Sequence, residues 1–361
     1  MGMNRGRTAG MRRKGDTNDL AGTAGPPHEP PLVVVLGASG FIGSAVVREL
    51  ARRPIRLRCV ARGPVPVPAA ATARIEVRSA DLGAPGELAR AVEGADAVVH
   101  LVAYIAGPAT WRVAEGDTAA ERVNVGLAHD LIEALRARRE RRSAAPPPTV
   151  VFAGTTTQAG PTAPVRIDGS EPDAPTGTYD RQKLAAEQAL KRATAENVLR
   201  GVVLRLPTVF GYGPASTATD KGVVSAMVRR ALAGEPLTMW HDGTVRRDLL
   251  YVDDVARALV TSLDHADALA GRHWLLGTGH GEPLGEVFAR IARIVADRTG
   301  RPPVPVVSVT PPEHAEASDF RSVEVDATAF RTATGWRPVT PLSEALELTV
   351  AALARQVSAR A

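Results

Sequence analysis

The chain has 361 residues, of which 44% are hydrophobic and 23% charged, and its formal net charge is +5. This ordinary globular composition excludes a disordered chain, a collagen-like chain and a small disulfide scaffold. The single cysteine, Cys59, excludes an intrachain disulfide and a cysteine-based zinc site, while the basic balance points to an anionic partner.

Residues 1–30 mix Arg, Gly, Asp and Pro without periodicity, which predicts a disordered N-terminal tail outside the fold. This segment lacks the apolar stretch of a secretory signal, and no apolar run in the chain approaches the roughly 20 residues of a membrane span. We therefore expect a cytoplasmic protein with no membrane partner.

The first predicted strand is the continuous apolar run Leu32–Leu36, typical of a strand that is buried on both faces. A glycine-rich turn, a helix over 41–53 and a strand over 55–60 follow it. Further strands are predicted at 74–77, 97–101, 149–152 and 202–206, and further helices at 86–93, 118–138 and 179–195. Strands that alternate with helices predict an α/β fold, a Rossmann-type doubly wound parallel sheet.

The pattern becomes less regular after residue 207 and predicts a smaller C-terminal substrate-binding lobe. Its predicted helices lie at 223–233, 284–297 and 342–355. The predicted organisation is a nucleotide-binding domain over 31–206, to which residues 245–275 return, and a lobe formed by 207–244 and 276–361.

The glycine-rich turn reads Gly37-Ala-Ser-Gly40-Phe-Ile-Gly43 and lies between the first strand and the first helix. Glycines at this spacing permit a tight turn, a close approach of a pyrophosphate and close packing of helix on strand. The helix N-terminus would then face the phosphates with its free N–H groups. The predicted cofactor-binding residues of this loop are Gly37, Ser39, Gly40, Phe41, Ile42 and Gly43.

The residues that end the second strand indicate which dinucleotide binds. The strand ends Val60-Ala61-Arg62, without the carboxylate that would bind the ribose 2′-hydroxyl of NAD. Arg62 could instead pair with a 2′-phosphate, so we favour NADP(H), although Arg62 could also be an ordinary surface arginine. Asp81 and Leu82 follow the third strand and are placed to contact the adenine, unless Asp81 only caps a helix.

Tyr179 and Lys183 are four residues apart in a predicted helix and therefore share one face. The chain contains only four tyrosines, and its lysines are equally rare because most basic residues are arginine, so this pairing is informative. An ammonium near a tyrosine stabilises the phenolate, and we expect it to lower the tyrosine pKa toward neutrality for acid–base work.

Other polar residues allow more than one interpretation. Thr155, at the end of a strand, could hydrogen-bond a substrate oxygen beside Tyr179 or simply form a polar turn. His100 is better explained as a packed or hydrogen-bonded residue than as a catalyst. The histidines show no metal-binding spacing, so no metal is expected, and nothing beyond the high pI supports nucleic-acid binding.

These motifs together resemble the extended short-chain dehydrogenase/reductase family, the NAD-dependent epimerases, dehydratases and ketoreductases of sugar nucleotides. The resemblance covers most of the chain from Leu32 to about Leu353. The stretches that carry it are the glycine loop, Asp81-Leu82, His100–Ala103, Phe152–Gly160, the YxxxK pair, Leu204–Gly211, Ala231–Pro236, Arg247–Asp254 and Thr334–Pro338.

The resemblance implies roles for individual residues. Thr155, Tyr179 and Lys183 would form the catalytic triad, and Lys183 would also hold the nicotinamide ribose. Ala103 and Pro207 would lie against the cofactor. Arg247 would bind the nucleotide diphosphate, with a purely structural arginine as the alternative. The other implied substrate contacts are Thr156, Thr208, which replaces the usual asparagine, and His241.

Two departures from the family pattern narrow the expected reaction. Dehydratases carry Asp-Glu after the catalytic threonine, whereas this chain carries Thr156-Thr157 and lacks the acid and base for β-elimination. The C4-epimerases that retain NAD usually have an acidic residue where Ala61 stands, so this strand end favours exchangeable NADPH.

A closer resemblance over residues 32–355 is to the dTDP-4-keto-6-deoxyhexose 4-ketoreductases of antibiotic deoxysugar pathways. It is carried by Thr110–Arg112, Glu121–Asn124, Thr156–Gln158, Met239–His241 and Asp319–Arg321. It implies NADPH-dependent reduction of the C4 ketone of a dTDP-activated keto-deoxysugar by a homodimer. The alternatives are a sugar-nucleotide epimerase with retained NAD and a non-catalytic NADP-sensing protein.

Overall fold

The computed structural model describes Met1 and residues 29–358, apart from residues 105–112, 142–144, 213–219, 221, 312–314 and 316. Residues 1–30 and residues 31–361 are separate units, and the fold described below is that of the second. Most of the predicted tail, and the stretch Thr110–Arg112, lie outside the described residues.

Strands and helices alternate through the first half of the described chain. The strands are β1 (Leu32–Leu36), β2 (Arg56–Ala61), β3 (Arg74–Ser79), β4 (Ala97–His100), β5 (Thr149–Thr155), β6 (Arg166–Ile167), β7 (Arg200–Leu206), β8 (Thr208–Phe210), β9 (Leu237–Met239), β10 (Arg246–Tyr251), β11 (His273–Leu275), β12 (Gly281–Pro283), β13 (Val306–Ser308) and β14 (Glu324–Val325). The helices are α1 (Phe41–Leu50), α2 (Glu87–Ala91), α3 (Thr118–Glu121), α4 (Leu127–Arg141), α5 (Thr178–Ala195), α6 (Val223–Ala233), α7 (Val252–Asp264), α8 (Ala266–Leu269), α9 (Leu284–Thr299), α10 (Thr328–Thr334) and α11 (Leu342–Ser358). Within the described ranges, no helix combines the length and the apolar character needed to cross a membrane.

The central sheet has seven strands in the order β11-β7-β5-β4-β1-β2-β3, and every pair in it is parallel. The predicted doubly wound Rossmann-type α/β fold is confirmed. Strand order reverses beside β1, which pairs with β2 on one side and with β4 on the other. Ligands of open α/β sheets bind in the crevice at such a reversal, outside the carboxyl ends of the strands.

Both faces of the sheet are covered, as the continuous apolar run of β1 predicts. Val33 and Val35 belong to one hydrophobic cluster, and Val34 and Leu36 belong to another on the opposite face. Helices α1 and α7 pack together, as do α4 and α5. Layers on both faces bring the N-terminus of α1 and that of α5 to the same carboxyl edge of the sheet.

The predicted helix over 118–138 differs from the structure, because a π-helical stretch over Arg122–Gly126 separates α3 from α4. Asn124, within this stretch, is 3% exposed. Its side chain accepts a hydrogen bond from the Tyr104 backbone N–H at 2.7 Å and donates to Gln182 at 2.8 Å. The wider turn lets the asparagine side chain join the segment after β4 to α5.

The later part of the chain forms three small sheets, β12-β10-β8, β13-β9 and β14-β6, and returns to the central sheet at β11. The division into a nucleotide-binding domain and a substrate-binding lobe at the predicted boundaries stays a prediction. Asp248 in β10 binds the backbone N–H groups of Thr278, Gly279 and Val325 and so holds the turn after β11 and strand β14 in place.

Candidate active site

The glycine-rich turn joins β1 to α1 and adopts a conformation that requires glycine. Gly37 has a φ of +86°, and the N–H groups of Gly37 and Ala38 both donate to the Val60 carbonyl at the end of β2. A Cβ at Gly37 would lie 3.2 Å from the backbone after β4. Helix α1 then begins at Phe41 with Gly40 as its N-cap, a residue that has no side chain to cover the free N–H groups.

Gly43 allows the first turn of α1 to lie directly against this loop. A Cβ at position 43 would lie 2.0 Å from the carbonyl oxygen of Gly37, a contact that the backbone cannot accommodate. The loop and the helix N-terminus therefore form a compact backbone cradle of the kind that binds a dinucleotide pyrophosphate, and the residues present fit that group.

The other predicted cofactor residues surround this cradle. Arg62 is exposed and follows β2 directly, at the position predicted for a 2′-phosphate contact. Asp81 accepts a hydrogen bond from the Gly83 N–H at 3.0 Å, so it stabilises a turn and does not cap α2, whose N-cap is Gly86. Leu82 is buried, and Ala103 is partly buried after β4.

Helix α5 carries Tyr179 in its first turn and Lys183 one turn later. Lys183 is 4% exposed. Its Nζ lies 4.3 Å from the ring centroid of Phe152 in β5 and 5.9 Å from that of Tyr179. An ammonium over an aromatic face is attracted to the ring electrons, so Phe152 stabilises Lys183 by a cation–π contact. The YxxxK spacing alone does not predict this contact.

The tyrosine pKa departs from the sequence expectation. Burial, and secondarily the carboxylate of Asp180, raises the pKa of Tyr179 above its ordinary value of about 10. Burial lowers the pKa of Lys183 to about 7. The Lys183 ammonium lies over Phe152, and its attraction for a Tyr179 phenolate does not outweigh the cost of burying that phenolate away from water. Tyr179 therefore holds its proton at neutral pH.

A row of oxygen atoms leads from the end of β5 to helix α5. Thr155 ends β5 and caps a 3₁₀ turn over Thr156–Ala159. The Thr155 and Thr157 hydroxyl oxygens are 2.7 Å apart, and the Thr157 hydroxyl donates to Asp180 Oδ1 at 2.6 Å. The hydroxyl predicted beside Tyr179 is therefore one member of a chain that ends in a carboxylate.

A cleft of about 560 Å³, part of it open to solvent, lies beside these groups. Its lining combines hydroxyl groups, two arginines and two carboxylates. The residues are Thr156, Thr157, Gly160, Pro161, Thr176, Asp180, Pro207, Thr208, Arg247, Asp248, Arg321 and Val323. Four predicted residues, Thr156, Pro207, Thr208 and Arg247, meet here, whereas His241 is not part of this lining.

The positive wall of the cleft consists of Arg247 and Arg321. Arg247 Nη2 donates to the Asp319 carbonyl at 2.9 Å, and Nη1 donates to the Arg321 carbonyl. Arg321 Nε donates to the Ala163 carbonyl at 3.2 Å. Backbone carbonyls thus orient both guanidinium groups, and a pair of arginines in one wall suits a phosphate-bearing ligand. His241 accepts the Gly243 N–H at 2.9 Å, and its predicted substrate contact stays a prediction.

A buried ionic network supports the site from behind. Glu187, four residues after Lys183 in α5, is fully buried and accepts from Arg205 Nη2 at 2.8 Å and from Lys191 Nζ at 2.6 Å. Gln158 Nε2 donates to Glu187 at 2.8 Å, while Gln158 Oε1 accepts the Thr155 N–H at 3.0 Å. The network therefore ties the backbone of Thr155 to the helix that carries Tyr179.

His100 and Cys59 are buried within the central sheet. His100 is 2% exposed and packs edge-on against Phe152. Burial, with a smaller effect of Lys183, lowers its pKa to about 3, so it is a neutral imidazole. Burial raises the pKa of Cys59 to about 12, which leaves it an unreactive thiol. In the described segments, no group of three or more His, Cys, Asp or Glu is placed to hold a metal.

A parallel sheet with a glycine-rich first turn and a YxxxK helix defines a dinucleotide-binding protein of the short-chain dehydrogenase/reductase type. Residues 33–277 match the NAD dependent epimerase/dehydratase family, and the chain belongs to this family. Its members are sugar-nucleotide enzymes that use nicotinamide cofactors, so the predicted family is confirmed.

Individual relatives differ in the reaction that their names state. The chain is 30% identical to dTDP-6-deoxy-L-talose 4-dehydrogenase (NAD(P)(+)) of Kitasatospora kifunensis over 89% of this chain and 95% of that enzyme. It is 31% identical to dTDP-L-rhamnose 4-epimerase of Burkholderia thailandensis, but over 48% of this chain and 45% of that enzyme. Among solved structures, it is similar to MoeE5 in complex with UDP-glucose and NAD, with 27% identity, a TM-score of 0.74, and coverage of 91% and 99% of the two chains.

Several residues of the site were not identified from the sequence. Asp180 and Thr157 meet only because the 3₁₀ turn folds back toward α5. Arg321 comes from a segment 74 residues after Arg247, and no local spacing connects the two. Glu187 was detectable in principle, since it follows Lys183 at i+4 and lies on the same helix face.

Substituting Gly43 with alanine tests the loop geometry directly. The added Cβ meets the Gly37 carbonyl, so we expect the variant to lose about 1–3 kcal/mol of stability and most of its affinity for a nicotinamide dinucleotide. Gly63→Ala is the control, because a Cβ at position 63 has no neighbour within 4 Å. Denaturant unfolding and dinucleotide titration measure both effects, and equal behaviour of the two variants would contradict this account of the cradle.

Proposed function

We propose that the protein catalyses the NADPH-dependent reduction of the C4 ketone of a dTDP-4-keto-6-deoxyhexose. The observation that carries the proposal is a cleft that opens beside the helix turn of Tyr179 and is lined by threonine hydroxyl groups and by Arg247 and Arg321. A ketone reduction needs a proton donor, and a nucleotide-linked sugar needs cations for its diphosphate.

The preference for NADPH rests on the end of β2. Ala61 stands where a carboxylate would bind a free ribose hydroxyl, and the exposed guanidinium of Arg62 follows it. A guanidinium pairs well with a 2′-phosphate, whereas a carboxylate would repel it. The glycine cradle suits the pyrophosphate of either dinucleotide, so Arg62 is the residue that supports NADP(H).

The chain's own residues divide the work of the reaction. When bound, the nicotinamide would supply a hydride to the C4 carbon of the sugar. Tyr179, whose pKa is raised, keeps its phenolic proton and gives it to the developing alkoxide oxygen. Lys183 holds the nicotinamide ribose and offers its ammonium to the phenolate that Tyr179 becomes, while Thr155 orients the same oxygen.

Substrate binding is assigned to the walls of the cleft. Arg247 and Arg321 bind the diphosphate, because both line the cleft and backbone carbonyls orient their guanidinium groups. Thr156 and Thr208 offer hydroxyl groups to the sugar, and His241 completes the predicted set. Elimination needs both an acid and a base beside Thr155, and Thr156 and Thr157 supply neither.

The second candidate is a sugar-nucleotide epimerase that retains NAD, and the similarity to the dTDP-L-rhamnose 4-epimerase favours it. Such an enzyme begins by removing a proton from an alcohol, which requires a tyrosinate. The end of β2, with Ala61 and the exposed Arg62 in place of an acidic residue, favours an exchangeable NADPH over a retained NAD. A non-catalytic NADP sensor, the third alternative, has no use for a proton donor.

The test is an NADPH-oxidation assay with dTDP-4-keto-6-deoxyglucose, followed by NMR of the product. We expect stoichiometric NADPH consumption, a dTDP-6-deoxyhexose product and a higher kcat/KM with NADPH than with NADH. dTDP-glucose, which has no ketone, is the control. Purified protein that holds NAD tightly and interconverts two sugars without consuming NADPH would instead identify the epimerase, and binding without turnover would identify the sensor.

A further inference from the structure

Gln158 lies three residues after Thr155 in the 3₁₀ turn and is fully buried, yet the proposed reaction gives it no role. Its Oε1 accepts the Thr155 backbone N–H at 3.0 Å, and its Nε2 donates to Glu187 Oε2 at 2.8 Å. A Cβ at Gly154 would lie 3.1 Å from Gln158 Oε1, so the glycine leaves room for the amide. The amide therefore occupies a defined space between the end of β5 and helix α5.

The two partners of this side chain require a glutamine. One is an N–H donor and the other is a carboxylate, and an amide offers one acceptor end and one donor end. A capping box of this type accepts Glu as well as Gln at its last position. Here a glutamate would place a second carboxylate against Glu187, and two like charges at hydrogen-bond distance cannot both remain ionised. Glutamine therefore suits the contact with α5 as well as the cap of the turn.

Glu187 is a rigid anchor for this contact. Arg205 Nη2 and Lys191 Nζ donate to its Oε1 at 2.8 and 2.6 Å, and Arg205 Nε donates to its Oε2 at 3.0 Å. Tyr179, Lys183 and Glu187 follow one another at intervals of four residues and so lie on one face of α5. Gln158 therefore joins the end of β5 to the helix face that carries the tyrosine and the lysine.

We propose that Gln158 is a positioning residue for the ketone reduction. By joining the Thr155 backbone to α5, it fixes the place of the Thr155 hydroxyl relative to the Tyr179 phenol. This role rests on the proposed function, in which both groups contact the same sugar oxygen, and a misplacement of about 1 Å can cost about 100-fold in rate. Thr157 also joins the turn to Asp180, but through exposed side chains and not through the backbone of β5.

Gln158→Met tests this role, because methionine has a similar length and forms neither hydrogen bond. We expect kcat for the NADPH-dependent reduction of dTDP-4-keto-6-deoxyglucose to fall by about 10- to 100-fold. The dissociation constant of NADPH, measured by titration, should stay close to that of wild type. Gln356→Met is the matched control, since Gln356 donates from α11 to the Tyr212 hydroxyl, and its kcat should equal that of wild type. A wild-type kcat in Gln158→Met would reject the positioning role.

Gln158→Glu separates positioning from damage to the packing. Burial and the neighbouring Glu187 keep the new carboxyl group protonated at about pH 6. A protonated carboxyl group accepts from the Thr155 N–H and donates to Glu187, as the amide does. We therefore expect this variant to keep a larger share of the wild-type kcat at that pH than Gln158→Met does. Equal losses in the two variants would indicate damaged packing and would contradict the positioning role.

Crystal structures without sugar test the same role when no dTDP-sugar is reduced. We expect the separation of the Thr155 and Tyr179 hydroxyl oxygens to change by more than about 0.5 Å between wild type and Gln158→Met. An unchanged separation would overturn the role of Gln158. A changed separation in an enzyme that does not reduce the sugar would support the positioning and reject only the proposed function.

Discussion

Replacing Tyr179 with phenylalanine is expected to lower the turnover of dTDP-4-keto-6-deoxyglucose by about 10²- to 10⁴-fold, the usual contribution of a positioned general acid. The substitution removes only the phenolic oxygen and leaves the ring beside Lys183, whose Nζ lies 5.9 Å from the ring centroid. NADPH affinity should therefore stay within a few-fold of wild type. Steady-state NADPH oxidation and a separate NADPH titration distinguish lost chemistry from lost binding.

Tyr251→Phe is the matched control for this variant. Tyr251, at the end of β10, is buried and its pKa is raised to about 12, but its ring packs against Phe210 of β8. The same loss of a phenolic oxygen there should leave turnover close to wild type. Wild-type turnover in Tyr179→Phe would remove the proposed proton donor.

The raised pKa of Tyr179 also predicts how the reaction responds to pH. A tyrosine donates a proton only below its pKa, and this pKa lies above the ordinary value of about 10. Ionisation of Tyr179 should therefore not reduce the rate of ketone reduction between about pH 6 and pH 9. Any change of the rate near pH 7 is expected from Lys183, whose pKa is about 7.

The parts of the fold that the sequence predicts are those with strong local causes. The apolar run Leu32–Leu36 allows only a strand buried on both faces, and a glycine triplet directly after it marks the dinucleotide loop. Tyr179 and Lys183 lie on one helix face because of their spacing alone. For these elements, the physical cause lies within a few consecutive residues.

The features that the sequence misses depend on contacts between distant segments. The π-helical stretch forms around Asn124, whose side chain binds Tyr104, 20 residues away. The tyrosine pKa depends on burial, and burial is a property of the assembled fold. Asp253 and Asp254 lie in the first turn of α7, and their partners, Arg48 and Arg257, are set by the packing of α1 on α7 and by the helix itself.

Glu187→Gln is expected to cost about 3–5 kcal/mol of unfolding free energy, because it removes one partner of a buried ion pair and leaves the other charged. Arg205 is 2% exposed and pairs with Glu187 at 2.8 Å. Its second partner, Asp173, lies 2.7 Å away and is more exposed, so it compensates only part of the charge. Denaturant unfolding at pH 7 measures the loss.

The dependence of this loss on pH identifies its electrostatic origin. Burial alone would raise the pKa of Glu187, but hydrogen bonds from His273, Arg205 and Lys191 hold it well below its usual range. A carboxyl group with a lowered pKa stabilises the fold above its unfolded-state pKa, and this contribution disappears as the pH falls through the folded-state value. The difference in unfolding free energy between wild type and Glu187→Gln should therefore be largest above about pH 5 and become smaller in stronger acid. Glu133→Gln, in an exposed pair with Arg136, is the control, and its unfolding free energy should equal that of wild type at every pH. If the free-energy difference between wild type and Glu187→Gln does not change with pH, the loss comes from packing and not from the charge.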